Sequence, residues 1–198
     1  MNTIIVATNN AGKAAEFEAM FAPLGFQVKT LKDFPELGEV EETGVTFEEN
    51  AVLKAETIAK KLGIPVIADD SGLLVDALDG EPGVYSARYA GEDKDDEANI
   101  NKVLSKLEGI PDEKRTAHFH CTLAFASPDV PTRTYTGVCS GRITHEKIGQ
   151  EGFGYDPIFW RDEEQKTLAQ MTKDQKAQIS HRGNALKELK KDLQNLLK

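Results

Sequence analysis

Two adjacent aspartates, Asp69 and Asp70, follow the apolar run Val66-Ile67-Ala68 and precede Ser71-Gly72. Neighbouring side chains on an extended segment point to opposite faces, so the two acids are expected to do different work. One can face a cleft while the other is held by backbone N–H groups or a cation. An aspartate at the carboxyl end of a strand can ligate Mg²⁺ or accept a proton from water. Asp-Ser-Gly is also turn chemistry, and a capped turn is the alternative. A second acidic pair, Glu41-Glu42, precedes Thr46-Phe47-Glu48-Glu49-Asn50-Ala51-Val52-Leu53-Lys54-Ala55. Mg²⁺ usually takes one or two protein carboxylates and leaves the rest to water and phosphate oxygens. One of this pair would therefore complete a site with Asp70. Acids at a helix start equally complement its dipole.

Three further segments carry candidate chemistry. Thr8-Asn9-Asn10-Ala11-Gly12-Lys13 lies between an apolar run and a helical pattern. A helix start offers unpaired N–H groups and positive potential, which suits phosphate. Thr8 and Asn10 add neutral donors and Lys13 a cation, although P-loop spacing is absent. An ordinary strand-to-helix turn has the same look. Gly152-Phe153-Gly154-Tyr155-Asp156-Pro157 sets an aromatic between two glycines. Such a ring can lie against a planar ligand, and Asp156 can accept from a ring N–H; a glycine-rich turn with a core aromatic is the alternative. Ile179-Ser180-His181-Arg182-Gly183, with Lys176 just before it, brings together three potential cations. They suit a carbonyl and a polyphosphate, or they form a solvated helix end. His118, His120 and Cys121 resemble metal ligands, but Ala117–Ala126 reads as a sheet strand, and no second Cys/His pair has zinc-like spacing.

The elements that position these groups follow from periodicity. Thr3–Thr8 reads as a buried strand, Ala11–Leu24 as a helix with one buried face, and Phe26–Leu31 as a second strand. Thr46 with Glu49 three residues on is a capping box for a helix running to Leu62 and ending near Gly63. Pro65–Asp69 reads as a buried strand and Gly72–Ala77 as extended. Asp95–Leu107 is helical. Arg115–Ser127 and Thr132–Thr144 form a candidate hairpin about Ser127-Pro128-Asp129. Gln150–Asp156 is a loop, and Pro157–Trp160 a short strand. Ser180–Leu197 is a helix with Ala185, Leu186, Leu189, Leu193 and Leu196 on its apolar stripe. The order predicts an α/β fold with a mixed twisted sheet and flanking helices, the middle strands forming a second lobe beside a central cleft.

Composition narrows the function classes. The 198 residues suit a single domain or two closely joined lobes. A net charge of −9 disfavours a nucleic-acid partner, because duplex binding needs many Lys/Arg–phosphate contacts. No apolar run predicts a membrane span, and Met1–Val6 lacks the features of a signal peptide. Two cysteines cannot build a disulfide framework, and a reducing cytoplasm is the expected setting.

Taken in order, Thr8–Lys13, Glu41–Ala55, Ala68–Gly91 (with Pro82-Gly83-Val84-Tyr85-Ser86-Ala87-Arg88-Tyr89-Ala90-Gly91), Phe153–Phe159 and Ser180–Ala185 resemble the non-standard purine nucleoside triphosphate pyrophosphatases, the inosine triphosphatase-like family. The resemblance implies a bent mixed sheet, a substrate cleft between two lobes, a homodimer, and Mg²⁺-dependent hydrolysis of ITP, dITP and XTP to the monophosphate and pyrophosphate. It implies that Thr8, Asn9, Asn10, Ala11, Gly12 and Lys13 cradle the triphosphate. Asp70 would be the catalytic carboxylate, with Lys13 assisting, and Asp70 and Glu42 the metal ligands. Ser71 would touch substrate, Phe153, Gly154, Tyr155 and Asp156 would hold the base, Lys176 would bind substrate, and His181 and Arg182 would face the purine. Two residues depart from the family pattern. Glu151 stands where members often have glycine, which bears on the backbone angle there. Asn9 also replaces a frequent glycine, and asparagine tolerates a left-handed backbone.

Overall fold

The run Ile4-Ile5-Val6 is buried throughout and forms the inner part of β1 (Asn2–Val6). In the computed structural model, which describes the backbone of residues 2–196 and the side chains of residues 3–192, β1 has a parallel neighbour on each side. Ile4 stands opposite Val28 of β2 (Phe26–Thr30), and Ile5 opposite Val66 of β3 (Val66–Val75). The full sheet has seven strands in the order β2-β1-β3-β4-β5-β6-β7, where β4 is Thr116–Ser127, β5 Val130–Ile143, β6 Phe159–Arg161 and β7 Lys166–Thr167. A two-residue turn joins β4 to β5, and β6 pairs antiparallel with both β5 and β7. The sheet is mixed, as expected of an α/β fold.

Several boundaries differ from the sequence reading. β1 ends at Val6 because the Thr8 hydroxyl turns to accept the Asn10 N–H. α1 (Ala11–Phe21) tightens into a 3₁₀ turn over Ala22–Leu24, where Pro23 has no N–H for a helical bond. The expected strand Pro157–Trp160 begins only at Phe159, since Pro157 sits in a 3₁₀ turn. The largest correction is at β3. Asp70 and Ser71, expected beyond a strand ending at Asp69, lie inside one continuous ten-residue strand that runs to Val75. Their side chains find charged partners, so polarity does not force the chain out of the sheet.

The helices follow their caps. α2 (Phe47–Leu62) starts where Thr46 Oγ1 accepts the Glu49 N–H at 3.1 Å and the Glu49 carboxylate returns to the Thr46 N–H. It ends at left-handed Gly63. Asp95 caps α3 (Asp96–Lys106). α4 (Lys173–Ile179) has no counterpart in the periodicity, being only seven residues long; Thr172 and Gln175 form its capping box. α5 is His181–Leu196, with Ala185, Leu186 and Leu189 buried. The side chains of Leu193 and Leu196, and the expected end at Leu197, lie outside the described residues.

The chain divides into two compact units. Unit 1 is 1–70, 121–137 and 185–198; unit 2 is 71–120 and 138–184. In unit 1, Ala51, Ala55, Ile58 and Ala59 of α2 pack with Ile5, Ala7, Val66, Ala68, Ala124 and Ala126 from the strands. The alanines bring the helix axis close to the sheet. In unit 2, Leu73, Val75, Ile100, Val103, Leu107, Phe119, Ile158 and Phe159 share a core, and the Phe119 and Phe159 rings lie 4.6 Å apart.

Arg115 ties that second core together. It is 2% exposed, and its guanidinium donates to the carbonyls of Leu107, Ile143 and Thr144, each at 2.8 Å. Arg115→Met leaves three acceptors without those donors, at about 1–3 kcal/mol for each group left unsatisfied. Partial relaxation brings the expected loss to about 2–4 kcal/mol, read from urea unfolding; an unchanged midpoint would contradict this bracing role.

Candidate active site

α2 places Asn50 and Lys54 four residues apart, so both point from one face of the helix. In unit 1 they address the two oxygens of Asp70 separately. Asn50 Nδ2 donates to Oδ2 at 3.1 Å, and Lys54 Nζ lies 3.5 Å from Oδ1. The same ammonium is 2.6 Å from Glu42 Oε1. Glu42 and Asp70, the expected metal pair, therefore converge on one cationic point. Asn50 Oδ1 accepts the Gly44 N–H at 2.7 Å, which fastens the Glu42 loop to the same helix. Asp69, the preceding residue of β3, binds Lys13 Nζ at 2.9 Å. The two neighbouring acids thus have different partners.

Electrostatics set the state of these groups. Burial pushes the Asp70 carboxyl above the ordinary aspartate range. Lys54 and Lys13 pull it down, Glu42 pushes it up, and the Asn50 hydrogen bond lowers it without cancelling the burial effect. Burial works against the Lys54 charge, yet Asp70, Glu42 and Asp69 together raise its pKa above the usual lysine value. Lys54 is a firm cation at neutral pH.

In the loop before α1, Thr8 is buried, and its hydroxyl accepts the Asn10 N–H at 3.2 Å. Asn10 caps the helix by accepting the Lys13 N–H at 3.0 Å. Asn9 reaches Glu39 at 3.4 Å. Thr8 and Asn10 thus spend an oxygen each on the turn itself. Ala11 and Gly12 supply the first two helical N–H groups, which an α-helix leaves without intrahelical partners.

The other expected residues lie in unit 2. Asp156 is 2% exposed, and its Oδ2 accepts the Phe153 N–H at 2.9 Å and Lys176 Nζ at 2.6 Å. That ammonium also lies 4.5 Å from the centre of the Phe153 ring. The Gly154 N–H donates to Asp96 at 2.8 Å. Tyr155 is buried in the core and donates its hydroxyl to the Ser86 carbonyl at 2.7 Å; burial raises its phenol pKa well above the ordinary value. His181 stacks on Phe119 at 4.7 Å with only 15° between the ring planes. Arg182 is 1% exposed and donates to Ser71 Oγ at 2.9 Å. The side chains of His181 and Arg182 at the start of α5 are therefore buried, not a solvated helix end. Only glycine fits at position 152: φ is +80°, and an added Cβ would fall 2.1 Å from Asp156 Oδ2.

The family model described as the Ham1 family matches residues 4–192. The chain belongs to the Ham1 family. It is 58% identical over 193 residues to a dITP/XTP pyrophosphatase of Listeria monocytogenes, covering 98% of this chain and 95% of the relative. A dITP/XTP pyrophosphatase of Halalkalibacterium halodurans is 55% identical, covering 96% and 98%. The solved structure of the Staphylococcus aureus Ham1 protein matches with a TM-score of 0.87 at 49% identity, covering 98% of this chain and 99% of that one. A HAM1 protein from Coxiella burnetii also gives 0.87, at 42% identity over 98% and 100%.

Within this Ham1 chain neither departure strains the backbone. The non-glycine residues with positive φ among those described are Asp79, Lys94 and Gln165, so Glu151 and Asn9 take ordinary angles. Residue-type reasoning assigned no role to Asn50 or Lys54. Their i, i+4 spacing behind a capping box, ahead of two acids, was the available signal. It also missed that Asp156 serves its own loop. His118 and His120 lie half-buried on β4, and no three or more His, Cys, Asp or Glu side chains among the described residues gather as metal ligands.

The raised carboxyl of Asp70 has a definite linkage sign. The folded state holds that proton more tightly than the unfolded chain, so this group makes stability fall as pH rises from the ordinary value of 3.8 through the raised folded value. Carboxyl NMR of the metal-free protein should show Asp70 titrating above the ordinary aspartate value of 3.8, and Asp70→Asn should remove that part of the pH slope in stability. A titration at or below 3.8 would contradict the burial argument.

Proposed function

We propose that this chain hydrolyses ITP, dITP and XTP between the α and β phosphates, releasing the nucleoside monophosphate and pyrophosphate, and so clears deaminated purines from the nucleotide pool. The observation that carries the reading is the convergence of Glu42 and Asp70 on one cationic point. Relatives at 58% and 55% identity that bear the name dITP/XTP pyrophosphatase support it.

The donor set fits Mg²⁺. Two carboxylates meet at a place already occupied by positive charge, and this ion asks for few protein ligands. Glu42 and Asp70 would hold it. When bound, it would supply charge neutralisation on the phosphate oxygens and the departing pyrophosphate. Asp70 orients or deprotonates the water that attacks the α-phosphorus, a role typically worth about 10²–10⁴ in rate. Lys13 gives one of its three N–H bonds to Asp69 and keeps two for phosphate, beside the N–H groups of Ala11 and Gly12. Thr8, Asn9 and Asn10 shape this loop.

Unit 2 supplies selectivity in this reading. Phe153 offers a ring face to the base, steadied by Lys176 and the Asp156 loop. His181 and Arg182, held by Phe119 and Ser71, offer donors to a 6-oxo purine. Adenine carries an amino donor there, and each buried polar group left unpaired costs about 1–3 kcal/mol. The reading takes the 198 residues as one pyrophosphatase domain acting as a homodimer in the cytoplasm, with no nucleic-acid or membrane partner. The family resemblance and the net charge of −9 support it. Among the described residues no helix is long and apolar enough to cross a membrane.

The test is a triphosphate panel with and without Mg²⁺, with both products identified. dITP, ITP and XTP should yield pyrophosphate with kcat/KM at least about a hundredfold above ATP. Asp70→Asn should lower kcat by about 10²–10⁴. Equal rates on all four substrates, or wild-type turnover by Asp70→Asn, would overturn the reading.

A further inference from the structure

Asn50 is a neutral side chain with no exposed surface, placed where the proposed reaction uses only charged groups. Its two ends have opposite partners. Oδ1 accepts the Gly44 N–H at 2.7 Å, and Nδ2 donates to Asp70 Oδ2 at 3.1 Å. Reversing the amide would set an NH₂ against an N–H and an oxygen against a carboxylate. Both contacts would repel, so a single orientation survives. A neighbouring constraint comes from Gly44. An added Cβ there would fall 2.7 Å from Asn50 Oδ1 and 2.7 Å from Glu49 Cβ. Only glycine lets the loop come this close to the amide.

The consequence is a ladder with two rungs. Lys54 joins Glu42 to Asp70 Oδ1, and Asn50, one helical turn earlier, joins Gly44 to Asp70 Oδ2. Lys54 alone leaves the carboxylate free to rotate about its χ2 bond, because a point charge constrains one oxygen. The second rung fixes the plane. It also sets the spacing between the Glu42 loop and β3. We propose that Asn50 is a positioning residue for the reaction: it orients Asp70 and holds Glu42 in register with it, without touching substrate. This rests on the pyrophosphatase reading above.

The experiment compares Asn50→Ala with Arg115→Met, which lowers stability from unit 2, in three measurements. These are kcat and KM for dITP at saturating Mg²⁺, and Mn²⁺ affinity of the substrate-free protein by electron paramagnetic resonance. Asn50→Ala should lower kcat by about 10–100-fold with KM within about threefold, because misplacement of about 1 Å costs up to 10² in rate. Mn²⁺ affinity should weaken about tenfold, as it does when groups supporting metal ligands are lost. Arg115→Met should leave all three within about twofold at a temperature where it remains folded. Gly44→Ala pushes on the same amide from the loop side and should reproduce the Asn50→Ala signature, which covers failure of the first variant to fold. If both variants keep wild-type kcat and Mn²⁺ affinity, or if KM alone rises, the positioning role is overturned. A wild-type protein that releases no pyrophosphate from dITP would overturn the functional reading, while the Mn²⁺ comparison would still judge Asn50.

Discussion

Two neighbouring carboxylates inside a central strand are the constraint around which unit 1 is organised. Asp69 and Asp70 have side-chain exposures of 1% and 8%. Uncompensated burial of even one such charge costs several kcal/mol. Their successive positions on β3 send them to opposite faces, so each acid has its own close ion partner, while Lys13 and Lys54 each also act on the other acid at longer range. Compensation comes from two helices: Lys13 in the first turn of α1 and Lys54 within α2. The need to neutralise β3 thus dictates where both helices present their lysines. The compensation at Asp70 is incomplete, since burial keeps its carboxyl above the ordinary range.

Unit 2 uses the same device for a different end. Asp156 and Lys176 form an ion pair with side-chain exposures of 3% and 8% at 2.6 Å, and the carboxylate also holds the Phe153 N–H. The pair closes the loop on itself and sets the Phe153 ring under the ammonium. Gly152 permits the approach that any larger residue would block. Buried charge here fixes a loop and an aromatic face, whereas at Asp70 it leaves the carboxyl above its ordinary range. Arg182 extends the pattern: a guanidinium only 1% exposed is anchored on Ser71 Oγ at 2.9 Å.

Much of this was legible in the residues. The Thr46/Glu49 box and Gly63 placed both ends of α2, because capping chemistry is local and carries its own signature. The hairpin of β4 and β5 followed from its turn residues. The continuation of β3 through Asp70 and Ser71 is not legible, since polarity within a strand looks like an ending until the distant cations that pair with it are known. α4 escaped notice because seven residues show too little periodicity. In the site, the acids and glycines announced themselves by type. The partnership of Asn50 with Asp70 spans 20 residues, as does that of Lys176 with Asp156, and neither follows from local pattern. Arg182 was legible as a donor but not as a buried one.

The central claim is that groups gathered about Asp70 deliver water to the α-phosphorus. Turnover of dITP in ¹⁸O-enriched water, with mass analysis of both products, tests it most directly. The account predicts one ¹⁸O in the nucleoside monophosphate and none in the pyrophosphate. Label in the pyrophosphate, or in a released single phosphate, would contradict it.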